Sequence, residues 1–243
     1  MNDAHDRLRE AINTSDNIVF FGGAGVSTES GIPDFRSEDG IYSMKYAYPP
    51  ETIISYSFFM QHTSEFYRFY REKMLHPHAK PNKAHIALAE LERLGKLKAV
   101  VTQNVDSLHS AAGSVNVYEL HGSCARNFCM NCGESFSMDF VIEAKDIPLC
   151  TCGGTIKPDV VLFEEALNQS VVERSVRAIR EADVLIVGGT SLNVYPAAGL
   201  IQHYSGNMLI LINKSETSYD NYANIIIRDS IGETLDAALA PES

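Results

Sequence analysis

Three groups of residues in this 243-residue chain have the types and spacing to do chemistry. The first is Ile-Val-Phe-Phe-Gly-Gly-Ala-Gly-Val-Ser-Thr at 18–28. Its four leading apolar residues are too few for a helix and too uniformly apolar for a strand with one wet face, so they read as a buried parallel strand. Gly22, Gly23 and Gly25 then let the backbone turn sharply and approach a ligand, with amide hydrogens free to meet phosphate oxygens. As a dinucleotide fingerprint the loop is imperfect: its third glycine position falls on Thr28, and the acidic residue expected about 20 positions on is not cleanly present. A plain strand-to-helix turn would look similar.

The second group is cysteine. All five, Cys124, Cys129, Cys132, Cys150 and Cys152, lie in one short segment, which in a cytosolic chain suggests metal before disulfide. A Cys-x-x-Cys pair, seventeen residues and a Cys-x-Cys pair fit one structural zinc held by Cys129, Cys132, Cys150 and Cys152. Free reduced thiols, or Cys124 as a substitute ligand, are the competing readings. The third group is polar residues that follow apolar strands: Thr-Gln-Asn-Val-Asp at 102–106, His121-Gly122, and Gly-Gly-Thr-Ser at 188–191. Open α/β sheets bind ligands at the carboxyl ends of their strands. Each also has a structural reading: Asp106 as a helix cap, His121 as a packed histidine, and 188–191 as a plain turn.

Taken in order, Gly-Ala-Gly-Val-Ser at 23–27, Gly-Ile-Pro-Asp-Phe-Arg at 31–36, the 102–106 motif, His121-Gly122, the cysteine quartet and Gly-Thr-Ser-Leu at 189–192 resemble the sirtuins, NAD-dependent protein lysine deacylases. The resemblance spans most of the chain. It implies that Gly23, Ala24, Gly25, Thr28 and Arg36 contact the dinucleotide, and that Phe35 and Asp106 bind nicotinamide or block its return. Gln103 would contact ribose, Asn104 would orient water and the ribose, and Val105 with Asp106 would hold the carboxamide. Gly189, Thr190 and Ser191 would receive NAD, Asn213 the adenosine ribose, and Ile231 the adenine edge. His121 would be the general base for a ribose hydroxyl, work that suits an imidazole near neutral pH.

The reaction so implied moves an acyl group, acetyl above others, from a protein lysine to NAD-derived ribose, leaving nicotinamide and 2′-O-acyl-ADP-ribose. Val161 and Phe163 would line one side of a slot into which the substrate backbone adds as a strand, with Leu192 and Val194 on the other. Where the family often has glycine, this chain carries Glu164. Sirtuins that favour succinyl or malonyl lysine present Tyr-x-x-Arg in their helical region; here Tyr67 is followed by Tyr70, with Arg71 one place late. On a helix that shift rotates the guanidinium by about 100°, which predicts a pocket for a neutral acyl group. Mono-ADP-ribosylation of a protein, hydride transfer, and non-catalytic sensing of NAD or ADP-ribose are the alternatives.

The elements must bring these motifs to one place. Buried strands alternating with helices predict an α/β fold, a doubly wound parallel Rossmann-like sheet with a smaller inserted helical and zinc-binding lobe. Residues 1–40, 82–123 and 158–243 are expected to form the NAD-binding domain, and 41–81 with 124–157 the small lobe. Helices are expected over 3–13, 57–75 with a break at 63–64, 82–94 and 168–181. The helix at 82–94 would bury Ile86, Leu88, Leu91 and Leu94. Strands are expected at 98–102, 115–120, 160–163, 184–187, 208–212 and 224–227, a capping box at 230–233, and a loop over the cofactor at 37–50.

A net charge of −11, with twenty scattered Lys and Arg, argues against a nucleic-acid partner. There is no bilayer-length apolar run, and residues 1–6 are polar and acidic, so the sequence predicts a cytoplasmic protein with no membrane partner. It is read as a monomer, although nothing in the sequence sets the oligomeric state.

Overall fold

The computed structural model describes residues 3–34, 40 and 47–240. At its centre is β1 (Ile18–Gly22), every residue of which is buried. Parallel neighbours lie on both sides: β2 (Leu97–Thr102) and then β3 (Val117–Glu119) on one, β7 (Val184–Gly188), β8 (Met208–Ile212) and β9 (Ile225–Ile227) on the other. Successive strand residues point to opposite faces, so Ile18 and Phe20 enter one core while Val19 and Phe21 enter another. Helices α1 (Asp3–Thr14), α5 (Lys83–Arg93) and α9 (Ile231–Leu239) cover the first face. Helix α8 (Gln169–Glu181) and a 3₁₀ segment, Ala197–His203, cover the second. Short α6 (Leu108–Ala111) follows β2.

A second sheet, in the order β5-β4-β6, is antiparallel: β4 (Gly122–Cys129) lies between β5 (Ser135–Ser137) and β6 (Ile156–Val160). Its core is shared with α2 (Pro50–Ile53), α3 (Tyr56–Gln61), α4 (Thr63–Phe69) and α7 (Met138–Glu143), and is filled by Phe58, Phe59, Phe66, Tyr67, Tyr70 and Val141 among others. The aromatics of 57–75 therefore pack, as their spacing suggests. The helix breaks at His62 (φ −132°) and ends in a π turn, Tyr70–Met74. No helix among the described residues is long and apolar enough to cross a membrane.

Several local expectations are corrected. In α5, Leu88 and Leu91 are buried as expected, but Ile86 is 57% exposed and Leu94, just past the helix end, 49%; Ala84 and Ala87 complete the inward face. Ile86 and Leu88, two residues apart, point to opposite sides of a helix, and the alanines mark the side where a neighbour comes close; Lys83 forms ion pairs with Glu233 and Asp236 of α9. The capping box at 230–233 does not form: Ser230 makes no side-chain cap, and Glu29, 203 residues earlier, accepts from the Gly232 amide at 3.0 Å. Residues 161–163 lie outside β6; of these, Phe163 forms an isolated parallel bridge to Ser55. The strand expected from 115 begins at Val117, with Val115 83% exposed.

One glycine has no substitute. Gly122 opens β4 with φ +73°, and a Cβ there would lie 1.9 Å from the Asp159 carbonyl oxygen of β6. Gly122→Ala is expected to cost about 3 kcal/mol or more, from left-handed strain together with forced separation of two paired strands. Chemical denaturation of the purified variant reads this directly, and a loss under about 1 kcal/mol would contradict it.

Candidate active site

The register of the large sheet fixes where its loops emerge. Gly22 lies opposite Thr102 and Gly188, Thr102 opposite Glu119, and Gly188 opposite Ile212. The carboxyl ends of β1, β2, β3, β7 and β8 therefore form one edge, from which Gly23, Gln103, His121, Gly189 and Asn213 all leave. The chain runs outward from β1 through β2 to β3, then restarts beside β1 with β7 and continues the other way. The crevice at such a reversal is where open α/β sheets take a ligand.

The two glycine loops meet in that crevice. Gly25 N–H donates to Gly189 O at 2.8 Å, Gly23 N–H donates to Gly188 O at 3.3 Å, and a Cβ on Gly25 would come within 2.8 Å of Gly189 Cα. This corrects the expectation that these amides are free for phosphate: they join the two loops, and glycine is needed for close approach of backbone to backbone. Thr28 Oγ1 donates to Gly25 O, Ala24 is half-buried, and Thr190 is buried with its hydroxyl accepting from Leu192 N–H, while Ser191 is exposed. Asn213 turns its amide to Ser215 O at 2.8 Å. Ile231 is buried, and its Cδ1 lies 2.2 Å from where a Cβ on Gly188 would be. Phe35 and Arg36, and all but part of the 37–50 loop, lie outside the described residues.

Deeper in, Ser27 Oγ donates to Asp106 Oδ2 at 2.6 Å and accepts from Asn104 Nδ2 at 3.0 Å. Asn104 is itself buried, with its backbone N–H on Thr102 Oγ1. Asp106 Oδ1 accepts from Leu108 N–H, so it assists the start of α6, whose N-cap is Ser107 at φ 62°. Asp106 thus has both a structural and a site role available. Val105 is half-buried, and its carbonyl accepts from Cys124 N–H at 2.8 Å. Gln103 Nε2 is buried without an acceptor among the described residues, a donor of the kind a ribose hydroxyl would satisfy.

His121 hangs from the other side of the same edge. Its Nδ1 lies 2.9 Å from Gln103 O. A carbonyl can only accept, so Nδ1 carries the proton, and in neutral imidazole the lone pair is left on Nε2. Burial pushes the His121 pKa down, partly opposed by the bond to Gln103. The result is a neutral, oriented proton acceptor. Beside it, Val161 N–H donates to His121 O at 3.0 Å, tying this histidine to the segment that carries Val161 (half-buried) and Phe163 (40% exposed). Leu192, at φ 56°, is buried, and Val194 is half-buried.

The cysteines gather as their spacing suggests. The ligand atoms of Cys129, Cys132, Cys150 and Cys152 all lie within 4.8 Å of one another, with Sγ–Sγ distances of 3.4 Å (Cys129–Cys152) and 3.6 Å (Cys132–Cys150). Zinc about 2.3 Å from each sulfur sets tetrahedral sulfurs about 3.8 Å apart, so the four thiols fit one zinc ion and the short Cys150-Thr151-Cys152 pair closes the set. The Cys132 amide, aided by that of Asn131, holds the Cys129 thiol down to about 6, while the thiols of Cys132, Cys150 and Cys152 are shifted up. Cys124 is apart: it is buried beside Tyr70 and Met74, and burial pushes its thiol up to about 12.

The Sir2 family profile matches residues 23–196, which hold the glycine loops, the 102–106 motif, His121 and the cysteines. The chain belongs to the Sir2 family. It is 59% identical over 241 residues to an NAD-dependent protein deacetylase of Clostridium acetobutylicum, covering 98% of both chains. To one of Cutibacterium acnes it is 48% identical, covering 96% of each. Among solved structures, a Sir2 enzyme with a p53 peptide and NAD+ superposes with a TM-score of 0.86 at 38% identity, covering 98% of both chains. A Sir2 variant with deacetylated p53 peptide and 3′-O-acetyl-ADP-ribose superposes with a TM-score of 0.87 at 39% identity, covering 95% of each. The sheet order, the inserted lobe and the cysteine cluster are thus those of a Sir2 fold.

Two contributors were not assigned roles from sequence. Ser27, the last residue of the Gly-Ala-Gly-Val-Ser motif, joins Asn104 to Asp106. Asn82 caps α5 through its Oδ1, and its Nδ2 donates to Val26 O and Ser30 Oγ, bracing the glycine loop. An Asn-x-x-His pattern at a helix start was a signal for the cap, and nothing local announced the second set of bonds.

Proposed function

We propose that this Sir2 protein removes acyl groups, acetyl above others, from lysine side chains of proteins, with NAD as co-substrate. Free lysine, nicotinamide and 2′-O-acyl-ADP-ribose are the products. The observation that carries the reading is the His121–Gln103 hydrogen bond, which leaves Nε2 of a neutral imidazole as acceptor at the same sheet edge as the glycine loops. Gly23, Ala24, Gly25, Thr28, Gly189, Thr190, Ser191 and Asn213 form the dinucleotide cradle, and Gln103 Nε2 donates to a ribose oxygen. Ile231 serves the adenine edge, and the family resemblance assigns Phe35 to nicotinamide and Arg36 to the dinucleotide. Asn104, held by Ser27, orients water and ribose, while Val105 and Asp106 hold the carboxamide. The acyl oxygen displaces nicotinamide from the anomeric carbon of its ribose; His121 then takes the proton of the 2′-hydroxyl as that oxygen attacks the acyl carbon, the lysine amine leaves that carbon, and water adds to it, leaving the acyl group on the 2′ oxygen. The related complex holds 3′-O-acetyl-ADP-ribose, an acetyl ester of the same class of product.

Residues 41–81 and 124–157 form the small lobe, the cleft beside which takes NAD and the acyl-lysine, and one structural zinc on Cys129, Cys132, Cys150 and Cys152 stiffens it. Val161 and Phe163 face Leu192 and Val194 across the peptide slot. The partners are acyl-lysine proteins rather than nucleic acid or membrane, and the protein works as a cytoplasmic monomer. Reduced thiolates at the zinc suit that compartment.

The acyl pocket follows from Arg71. Its Nε donates to Val141 O at 2.8 Å, its Nη2 donates to Asp146 O, and its guanidinium carbon lies 5.2 Å from the centre of the Tyr67 ring. The Tyr67 hydroxyl donates to Ile156 O. With both groups held by the small lobe, neither is free to supply a partner to an acidic acyl chain. Purified protein with NAD and acetyl, longer aliphatic and succinyl lysine peptides tests both ideas. Nicotinamide release should depend on acyl-peptide, and acetyl should exceed succinyl by about tenfold or more in kcat/KM, the worth of one ion pair. A target that gains ADP-ribose instead of losing its acyl group would overturn the deacylase reading. A succinyl preference would overturn the pocket.

A further inference from the structure

Glu164 occupies a backbone conformation that favours glycine, φ +77°, directly after the slot-lining Phe163. An L side chain is held there only against steric cost, so surrounding contacts must over-determine it. The contacts are specific. Glu164 Oε2 accepts from Ser57 N–H at 2.8 Å and Oε1 from Ser57 Oγ–H at 2.9 Å. Ser57 lies in the first turn of α3, where amides lack intrahelical acceptors and a carboxylate is favoured. Beside this pair the main chains are already joined, Tyr56 N–H to Phe163 O at 3.0 Å and Phe163 N–H to Ile54 O at 3.1 Å. At the other end of the same segment, Val161 N–H is bonded to His121 O.

Residues 161–164 are thus a strap, pinned at one end to the base and at the other to the helical insertion. We propose that Glu164 is a positioning residue for the acyl-lysine peptide, a latch that clamps α3 to the strap so that its slot face is held extended before the peptide arrives. The latch acts through order. An unpinned strap retains conformational freedom that must be lost on peptide binding, which weakens binding without touching the chemical step. The proposal rests on the reading of 161–163 as one wall of the slot.

The test is steady-state kinetics on the full chain with an acetyl-lysine peptide and NAD, alongside thermal unfolding. Glu164→Ala is expected to raise the peptide KM by roughly 3- to 10-fold, the scale of one or two hydrogen bonds to a charge. Its kcat should stay within about twofold and its KM for NAD should not move. Glu164→Gln should restore most of the loss, because its carbonyl still accepts from Ser57 N–H and its amide can donate to Ser57 Oγ. Glu164→Gly relieves the backbone strain, so it should be no less stable than the parent yet bind peptide as poorly as the alanine variant. A merely structural residue would not separate stability from peptide KM in this way.

In Ser57→Ala/Glu164→Ala the loss should be no greater than in Glu164→Ala alone. An unchanged peptide KM in Glu164→Ala would overturn the latch. So would a Glu164→Gln variant as impaired as the alanine, which would mean that the charge meets a basic residue of the peptide directly. A peptide N-methylated beside its acyl-lysine separates the two layers: if it binds the parent protein normally, strand addition itself fails, whatever the variants do.

Discussion

His121→Ala is expected to lower turnover by about 10²- to 10⁴-fold, the usual worth of a positioned general base, while NAD and acyl-peptide still bind. The expectation comes from where the ring is held. Nδ1–H donates to Gln103 O, so the group presented to the site is an unprotonated Nε2, and alanine removes that acceptor without altering the glycine loops or the strap. Calorimetric titration with NAD and single-turnover assays would separate binding from chemistry. A purified variant that turns over within tenfold of the parent would refute the base assignment.

The acid limb of kcat/KM should carry the same signature. Burial lowers the His121 pKa, so the neutral, active form persists below the ordinary histidine value of about 6.5, and activity falls as pH drops through the lowered value. Stability has a related window. His85, His109 and His121 are all shifted down by burial, His109 to about 3, so below about pH 6.5 the unfolded chain binds protons that the folded chain refuses. Stability contributed by these three is full above that pH and is lost progressively beneath it.

Removing zinc should be the largest single blow to the small lobe. Cys129 and Cys150 are buried in the core that also holds Phe59, Phe66 and Tyr67, so the metal-bound knuckle and the helical insertion depend on one another. Zinc-thiolate sites in small modules contribute on the order of 10 kcal/mol to the folded state. The purified protein should carry about one zinc per chain, as the four clustered thiols require. A strong chelator, or Cys150→Ser, should abolish activity together with the near-ultraviolet signal of the lobe, while Cys124→Ala should leave the zinc content unchanged. Full activity in a zinc-free preparation would remove the metal from the account. Loss of zinc in Cys124→Ala would instead place that residue among the ligands.

Much of this was legible from neighbours along the chain. Uniformly apolar runs at 18–21 and 184–187 had to be buried parallel strands, Asn168 had to start a helix, and cysteine pairs around a seventeen-residue loop had to meet if they held a metal. In each case the determining information lies within one element or one loop, and the physics is local: periodicity, capping, ligand spacing. The order of motifs went further, placing the chain in its family before any fold was seen.

The tertiary structure alone decided which of two possible faces of α5 is inside, because Ile86 and Leu88 are equally apolar and only the neighbouring helix chooses between them. It also gave the glycine amides at 23 and 25 to Gly188 and Gly189 instead of phosphate, replaced the expected Ser230 cap with Glu29, and latched Glu164 to Ser57. Each of these is a hydrogen bond between groups distant in sequence, and a donor or acceptor carries no mark of which distant partner it will meet. Local preferences set the elements, and packing of the assembled sheets and helices then settled which polar groups were left facing one another.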